Sequence, residues 1–187
     1  MLPIVLEPTR VPVILAGAGE AVVRRFETLV AGGVRPRVFV PEPAPDLVAR
    51  FGRALVSGVP GRDDLADARI LFVAGLDAGE TRVLAALART LGVLVNVEDD
   101  LVNCDFHMPA TVRRGGLVLG ISTGGRAPGL AALIRRRLEA RLGPEWGPRV
   151  DELAVRRRDW RDAGDDSATI ARRISEHVES RGWLEDL

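Results

Sequence analysis

Four short apolar runs, each followed by a glycine, a proline or an acid, leave this chain few ways to fold. They lie at residues 11–15, 37–40, 70–74 and 93–97. Runs of that length that do not alternate with polar residues are strands buried on both faces, and strands joined through helices pair in parallel. Val22, Val23, Phe26, Leu29 and Val30 recur at helical spacing after the first run and stop at Gly32-Gly33. Val83, Leu84, Leu87 and Leu91 do the same before the last run and stop at Gly92.

Between these lie a short helix over 46–53, a small strand over 54–56 and a polar turn over 63–67. Together they predict an α/β chain with a doubly wound, Rossmann-like parallel sheet. The first strand runs into Gly17-x-Gly19-x-x-Val22. Gly17 permits the tight turn, and Gly19 lets backbone N–H groups approach a pyrophosphate at the positive end of the helix. A glycine pair in that place points to a nucleotide. Val22 stands where a small residue is usual, and the second strand ends in Val40-Pro41-Glu42, with an acid just past the tip.

The fourth run ends in two adjacent carboxylates, Asp99 and Asp100. Ligands bind at the carboxyl ends of parallel strands, so these acids face a crevice. Asp99 suits a general base, and capping a loop is the plainer role for both. An alternating hairpin with Gly115-Gly116 at its turn follows, and His107 is expected on its polar face. Three helices close the chain. The first begins at Pro128 with the stripe Leu130, Leu133, Ile134 and Leu138, the second covers 149–162, and the third is capped by Ser167.

Composition removes several chemistries. All 26 basic residues are Arg and Tyr is absent, which excludes Schiff-base catalysis, the P-loop lysine and a Tyr/Lys reductase pair. One cysteine, Cys104, excludes an internal disulfide and any cysteine-built metal centre. The formal net charge is zero, so no global field recruits nucleic acid or membrane. No apolar run reaches the ~18 residues of a membrane span, and the first ten residues lack a basic leader, so the expected location is the cytoplasm.

Three stretches together are more specific than any glycine turn: Asn96-Val97-Glu98-Asp99-Asp100, Cys104-Asp105-Phe106-His107-Met108-Pro109-Ala110, and Ile121-Ser122-Thr123-Gly124-Gly125-Arg126-Ala127-Pro128. With Leu2-Pro3-Ile4 and Gly17-x-Gly19 they resemble the siroheme synthase N-terminal domain, or precorrin-2 dehydrogenase, over about residues 1–142. The resemblance implies oxidation of precorrin-2 to sirohydrochlorin with NAD, ferrous iron insertion in some members, and a homodimer. It implies a Rossmann domain over 1–110, a dimerisation element of hairpin plus helix over 111–143, and a helical region over 144–187.

By position, Asp99 takes the catalytic place. Gly17, Gly19, Glu20, Ala21, Pro41, Glu42 and Asp77 take the cofactor places. Asp100, Ser122, Thr123, Gly124 and Arg126 are expected to meet the substrate, whose carboxylates suit guanidinium forks. No resident metal is expected. Ala74-Gly75-Leu76-Asp77 departs from the family's Ala-Thr-Asp-Asp turn, and Thr81 replaces an asparagine. Two other readings therefore stay open: a sirohydrochlorin chelatase with a weakened dehydrogenase step, and a non-catalytic relative that binds a tetrapyrrole or nucleotide.

Overall fold

The computed structural model describes residues 1–185, which divide into two compact units at His107/Met108. The first unit carries strands β1 (Val13–Gly17), β2 (Arg37–Val40), β3 (Leu55–Ser57), β4 (Ile70–Ala74) and β5 (Leu94–Val97). Helices α1 (Gly19–Ala31), α2 (Pro45–Phe51), α3 (Arg62–Ala66) and α4 (Ala78–Thr90) connect them. The strands form one parallel sheet in the order β3-β2-β1-β4-β5. The expected Rossmann-like sheet is present, and the polar turn expected over 63–67 is the short helix α3.

The alternation of side chains along each strand divides the core in two. Ile14, Ala16, Phe39, Leu71, Val73, Val95 and Val97 pack with Leu65 of α3 and Leu84, Ala85 and Ala88 of α4. Val13, Leu15, Val38, Val40, Ile70, Phe72 and Ala74 face the other way, onto Val22, Val23 and Leu29 of α1 and Leu47 and Phe51 of α2. Both faces are thus covered, as all-apolar strands require. Each fully buried Val, Leu or Phe contributes about 1.5–3 kcal/mol.

The second unit begins with an antiparallel hairpin, β6 (Ala110–Arg114) and β7 (Leu117–Ile121), turned at Gly115-Gly116 as expected. Helices α5 (Pro128–Arg141), α6 (Trp146–Asp162) and α7 (Ser167–Ser180) follow. Three local expectations need correction. Asp166, not Ser167, caps α7, because its carboxylate reaches the Thr169 N–H at 2.8 Å. His107 precedes the hairpin and lies on no strand. Leu130, Leu133 and Ile134 are exposed, and the buried residue of α5 is Ala131. Among the described residues no helix is long and apolar enough to cross a membrane.

Candidate active site

The carboxyl ends of β1, β2, β4 and β5 carry the first unit's candidate residues. At β1 a β-carbon on Gly17 would stand 2.1 Å from the Ala74 carbonyl oxygen and 2.9 Å from Cβ of Val22. Only glycine fits there. Its missing side chain is what admits Val22, which is wholly buried. Gly19 has φ +59°, and a β-carbon on it would meet nothing within 4 Å, so a ligand can approach its backbone. No side chain caps α1, leaving its N-terminal end open to an anion, with Glu20 exposed and Ala21 half-buried in the first turn. That cradle fits a dinucleotide's pyrophosphate.

The loop after β4 leans on the same turn. Gly75 has φ +76°, and a β-carbon on it would meet the Ala18 carbonyl oxygen at 2.4 Å and Cβ of Ala21 at 3.0 Å. The departure from the family pattern here is thus a close backbone approach. Asp77 is committed to capping α4, accepting from Gly79 N at 2.7 Å and Glu80 N at 2.9 Å. The hydrogen bonds from Glu80 and then Gly79 hold its carboxyl below the ordinary range. Thr81 is buried, its N–H donated to the Asp77 carbonyl. At β2, Pro41 is half-buried and Glu42 exposed just beyond the strand.

At β5 the sheet ends without a sixth strand. The returning segment closes the edge with side chains instead. Asp105 takes the Val95 N–H on Oδ2 at 2.8 Å, while its own N–H goes to the Val95 carbonyl at 2.8 Å. Cys104 Sγ takes the Val97 N–H at 3.1 Å. Arg89 Nε holds Asp105 Oδ1 at 3.0 Å, and its Nη2 donates to the Asn103 carbonyl at 2.8 Å. Asn96, buried at 6% exposure, donates Nδ2 to the Phe106 carbonyl at 2.9 Å. Phe106 then packs edge-on against Phe72, with ring centres 5.5 Å apart.

Within that frame Asp99 is exposed and has φ +59°, the one described non-glycine residue in the left-handed region. Aspartate tolerates this better than most residues, and such strain clusters at functional sites. Asp100 turns inward as a cap, accepting from Asn103 N at 3.2 Å and Asn103 Nδ2 at 2.6 Å. Those bonds, led by the side-chain amide, hold its carboxyl below the ordinary value. Of the two acids, Asp99 alone is presented to solvent.

The remaining expected residues lie in the second unit. Ser122 Oγ accepts from Gly124 N at 3.2 Å, and Thr123 Oγ1 accepts from Ala127 N at 3.1 Å at the start of α5. Gly124 and Gly125 both have positive φ, and Arg126 is exposed. No group of three or more His, Cys, Asp or Glu able to hold a metal occurs among the described residues. Sequence reasoning missed the work of Asn96, Cys104 and Asp105. The signal for Asn96 was an amide set inside an otherwise apolar strand.

Comparison with known proteins decides the family. Residues 4–110 match the family model described as "Putative NAD(P)-binding". The chain belongs to that family. A nicotinamide dinucleotide is the cofactor class of this NAD(P)-binding chain. Residues 114–141 match the central region of sirohaem biosynthesis proteins. A siroheme synthase of Chromobacterium violaceum is 36% identical over 148 residues, covering 78% of this chain and 32% of the relative. One from Nitrosomonas europaea is 32% identical over 162 residues, covering 84% and 34%.

This NAD(P)-binding chain therefore spans about a third of the length of the curated relatives it matches. The solved structure of SirC, a precorrin-2 dehydrogenase, shares its fold with a TM-score of 0.68 at 20% identity, over 94% of this chain and 88% of that one. The resemblance carried by Asn96–Asp99, Cys104–Ala110 and Ser122–Pro128 is borne out: the chain is kin to the siroheme synthase N-terminal region.

Proposed function

We propose that this chain oxidises precorrin-2 to sirohydrochlorin with NAD, and that Asp99 is the general base. The observation that carries the reading is Asp99 itself, an exposed carboxylate held in left-handed backbone at the end of β5. It stands two strands from the glycine turn of β1, a lateral span of about 10 Å at ordinary strand spacing. That span suits a dinucleotide laid across the sheet with its phosphates at α1. NAD, when bound, supplies the acceptor for the two electrons and one hydrogen that leave the macrocycle. Asp99 takes the second hydrogen as a proton on its carboxylate, which balances the step.

Gly17, Gly19, Glu20 and Ala21 form the phosphate turn. Pro41 and Glu42 border the adenosine ribose, where an acid favours NAD over its 2′-phosphorylated form. Asp77 contributes by capping α4 beside that turn. Arg126, with Ser122, Thr123, Gly124 and Asp100, serves the carboxylate-rich substrate. The chain works as a homodimer through the hairpin and α5, a reading supported by exposed Val118, Leu130, Leu133 and Ile134. Its setting is the cytoplasm.

Anaerobic precorrin-2 with NAD tests the reaction. Sirohydrochlorin absorbance and NADH are expected to rise together, faster with NAD than with NADP. No product with either cofactor would sink the assignment. Sirohydrochlorin given ferrous or cobaltous ion without NAD reports separately on metal insertion, with the metal as substrate.

A further inference from the structure

The Asp99 turn is held from behind by one sulfur. Sγ of Cys104 accepts the Val97 N–H at 3.1 Å and lies 3.2 Å from both the Val97 and the Asp100 carbonyl oxygens. Asn96 Nδ2 approaches the same sulfur at 3.5 Å. The thiol therefore touches the last residue of β5 and the residue directly after Asp99, spanning the turn that carries the acid.

The neighbouring hydrogen bonds lead away from the turn rather than across it. The Glu98 N–H extends the sheet to the Val73 carbonyl at 2.9 Å, and Asp100 is pinned onward to Asn103. Asp99 itself occupies a backbone region that an unrestrained turn would leave.

We propose that Cys104 is a positioning residue for Asp99, its thiol clamping Val97 to Asp100 so that the carboxylate stays aimed out of the sheet. This rests on the reading of Asp99 as the general base. The thiol is not a nucleophile here. Burial pushes its pKa up, against the pull of the Val97 hydrogen bond, so it keeps the proton it donates at neutral pH. Sulfur suits the post because its long bonds and large radius let one atom reach three backbone groups. A serine hydroxyl in the same place can serve one side of the turn well but not both.

The test compares wild type, Cys104→Ala and Cys104→Ser in the anaerobic NAD assay, alongside amide hydrogen exchange over residues 97–104. Cys104→Ala is expected to lower kcat about 10- to 100-fold, the range that a small misplacement of a reacting group produces. KM for NAD should stay within about twofold, because the glycine turn is untouched. Exchange over 97–104 should quicken, and Cys104→Ser should recover part of both effects.

The proposal is overturned if kcat of folded Cys104→Ala matches wild type, or if exchange in the turn does not change. A KM for NAD that worsens in step with kcat also overturns it, since that marks general damage. Should the alanine variant fail to fold, Cys104→Ser carries the same readouts. If wild type itself makes no sirohydrochlorin, the proposed reaction falls, and exchange over 97–104 decides the clamp by itself.

Discussion

Gly75 and Ala18 meet backbone to backbone: a β-carbon on Gly75 would lie 2.4 Å from the Ala18 carbonyl oxygen. The loop after β4 thereby presses on the turn between β1 and α1, and two cofactor-facing loops become one packed unit. The positive φ of Gly75 adds to the demand for glycine.

Gly75→Ala should therefore weaken both fold and cofactor binding. Backbone strain and the overlap with Ala18 together predict a loss of about 2 kcal/mol or more. Urea unfolding measures the first effect, and NAD titration should show a weaker Kd from the displaced turn. An alanine variant with unchanged stability would show that the two loops part easily.

Asp99→Asn separates charge from conformation. Asparagine also tolerates left-handed backbone, so stability should change by less than about 0.5 kcal/mol. Turnover should fall about 10²- to 10⁴-fold, as loss of a general base does. Asp99→Val should lose the activity and about 1–2 kcal/mol as well, because a branched residue resists that backbone. Steady-state rates and thermal unfolding on the pair distinguish the two roles.

Asp105→Ala leaves the Val95 N–H unpaired at the sheet edge and Arg89 without its carboxylate. The expected cost is about 1–3 kcal/mol. Amide exchange should quicken first at Val95 and Val97, on β5, before the rest of the sheet. Protection unchanged at those two residues would count against the sealed-edge description.

Acid should loosen the loops before the core. Asp64, Asp77, Asp100 and Asp166 all have carboxyls lowered from 3.8, chiefly by hydrogen bonds from Gly61, Glu80, Asn103 and Thr169 respectively. The folded chain thus binds fewer protons than the unfolded one just beneath that value. Their stabilisation is complete above about pH 4 and is lost as pH falls through the lowered values. Thermal unfolding from pH 5 downward should show that slope, made shallower by Asp77→Asn or Asp100→Asn.

Glu42→Gln tests the cofactor end. Removing the charge beside the ribose position should raise KM for NAD about 10-fold, the scale of one hydrogen bond to a charged group, and narrow the preference over NADP. Equal KM values in wild type and variant would place the carboxylate away from the ribose.

Much of the fold was legible because burial on both faces forces apolar runs. β2 and β4 fall on residues 37–40 and 70–74, and the glycine turn and the hairpin turn lie where their glycines place them. The misses have physical reasons. α3 is one short helix of polar residues held by a single buried Leu65, so no stripe marks it. In α5 the periodic leucines mark a face that this chain leaves exposed, and periodicity carries no label for what covers it. Asp99 and Asp100 read alike as neighbours in sequence, and only the backbone's turn sends one outward and the other onto Asn103. The thiol and carboxylate that close β5 gave no pattern, because their partners are backbone groups.

That closure has a consequence for how such a domain can grow. Adding a strand beside β5 would require the amide and carbonyl groups that Cys104 and Asp105 already occupy. Gaining one would mean surrendering the turn on which the exposed acid sits. The width of the sheet and the place of its chemistry are consequently one inherited decision, and neither can drift while the other is kept.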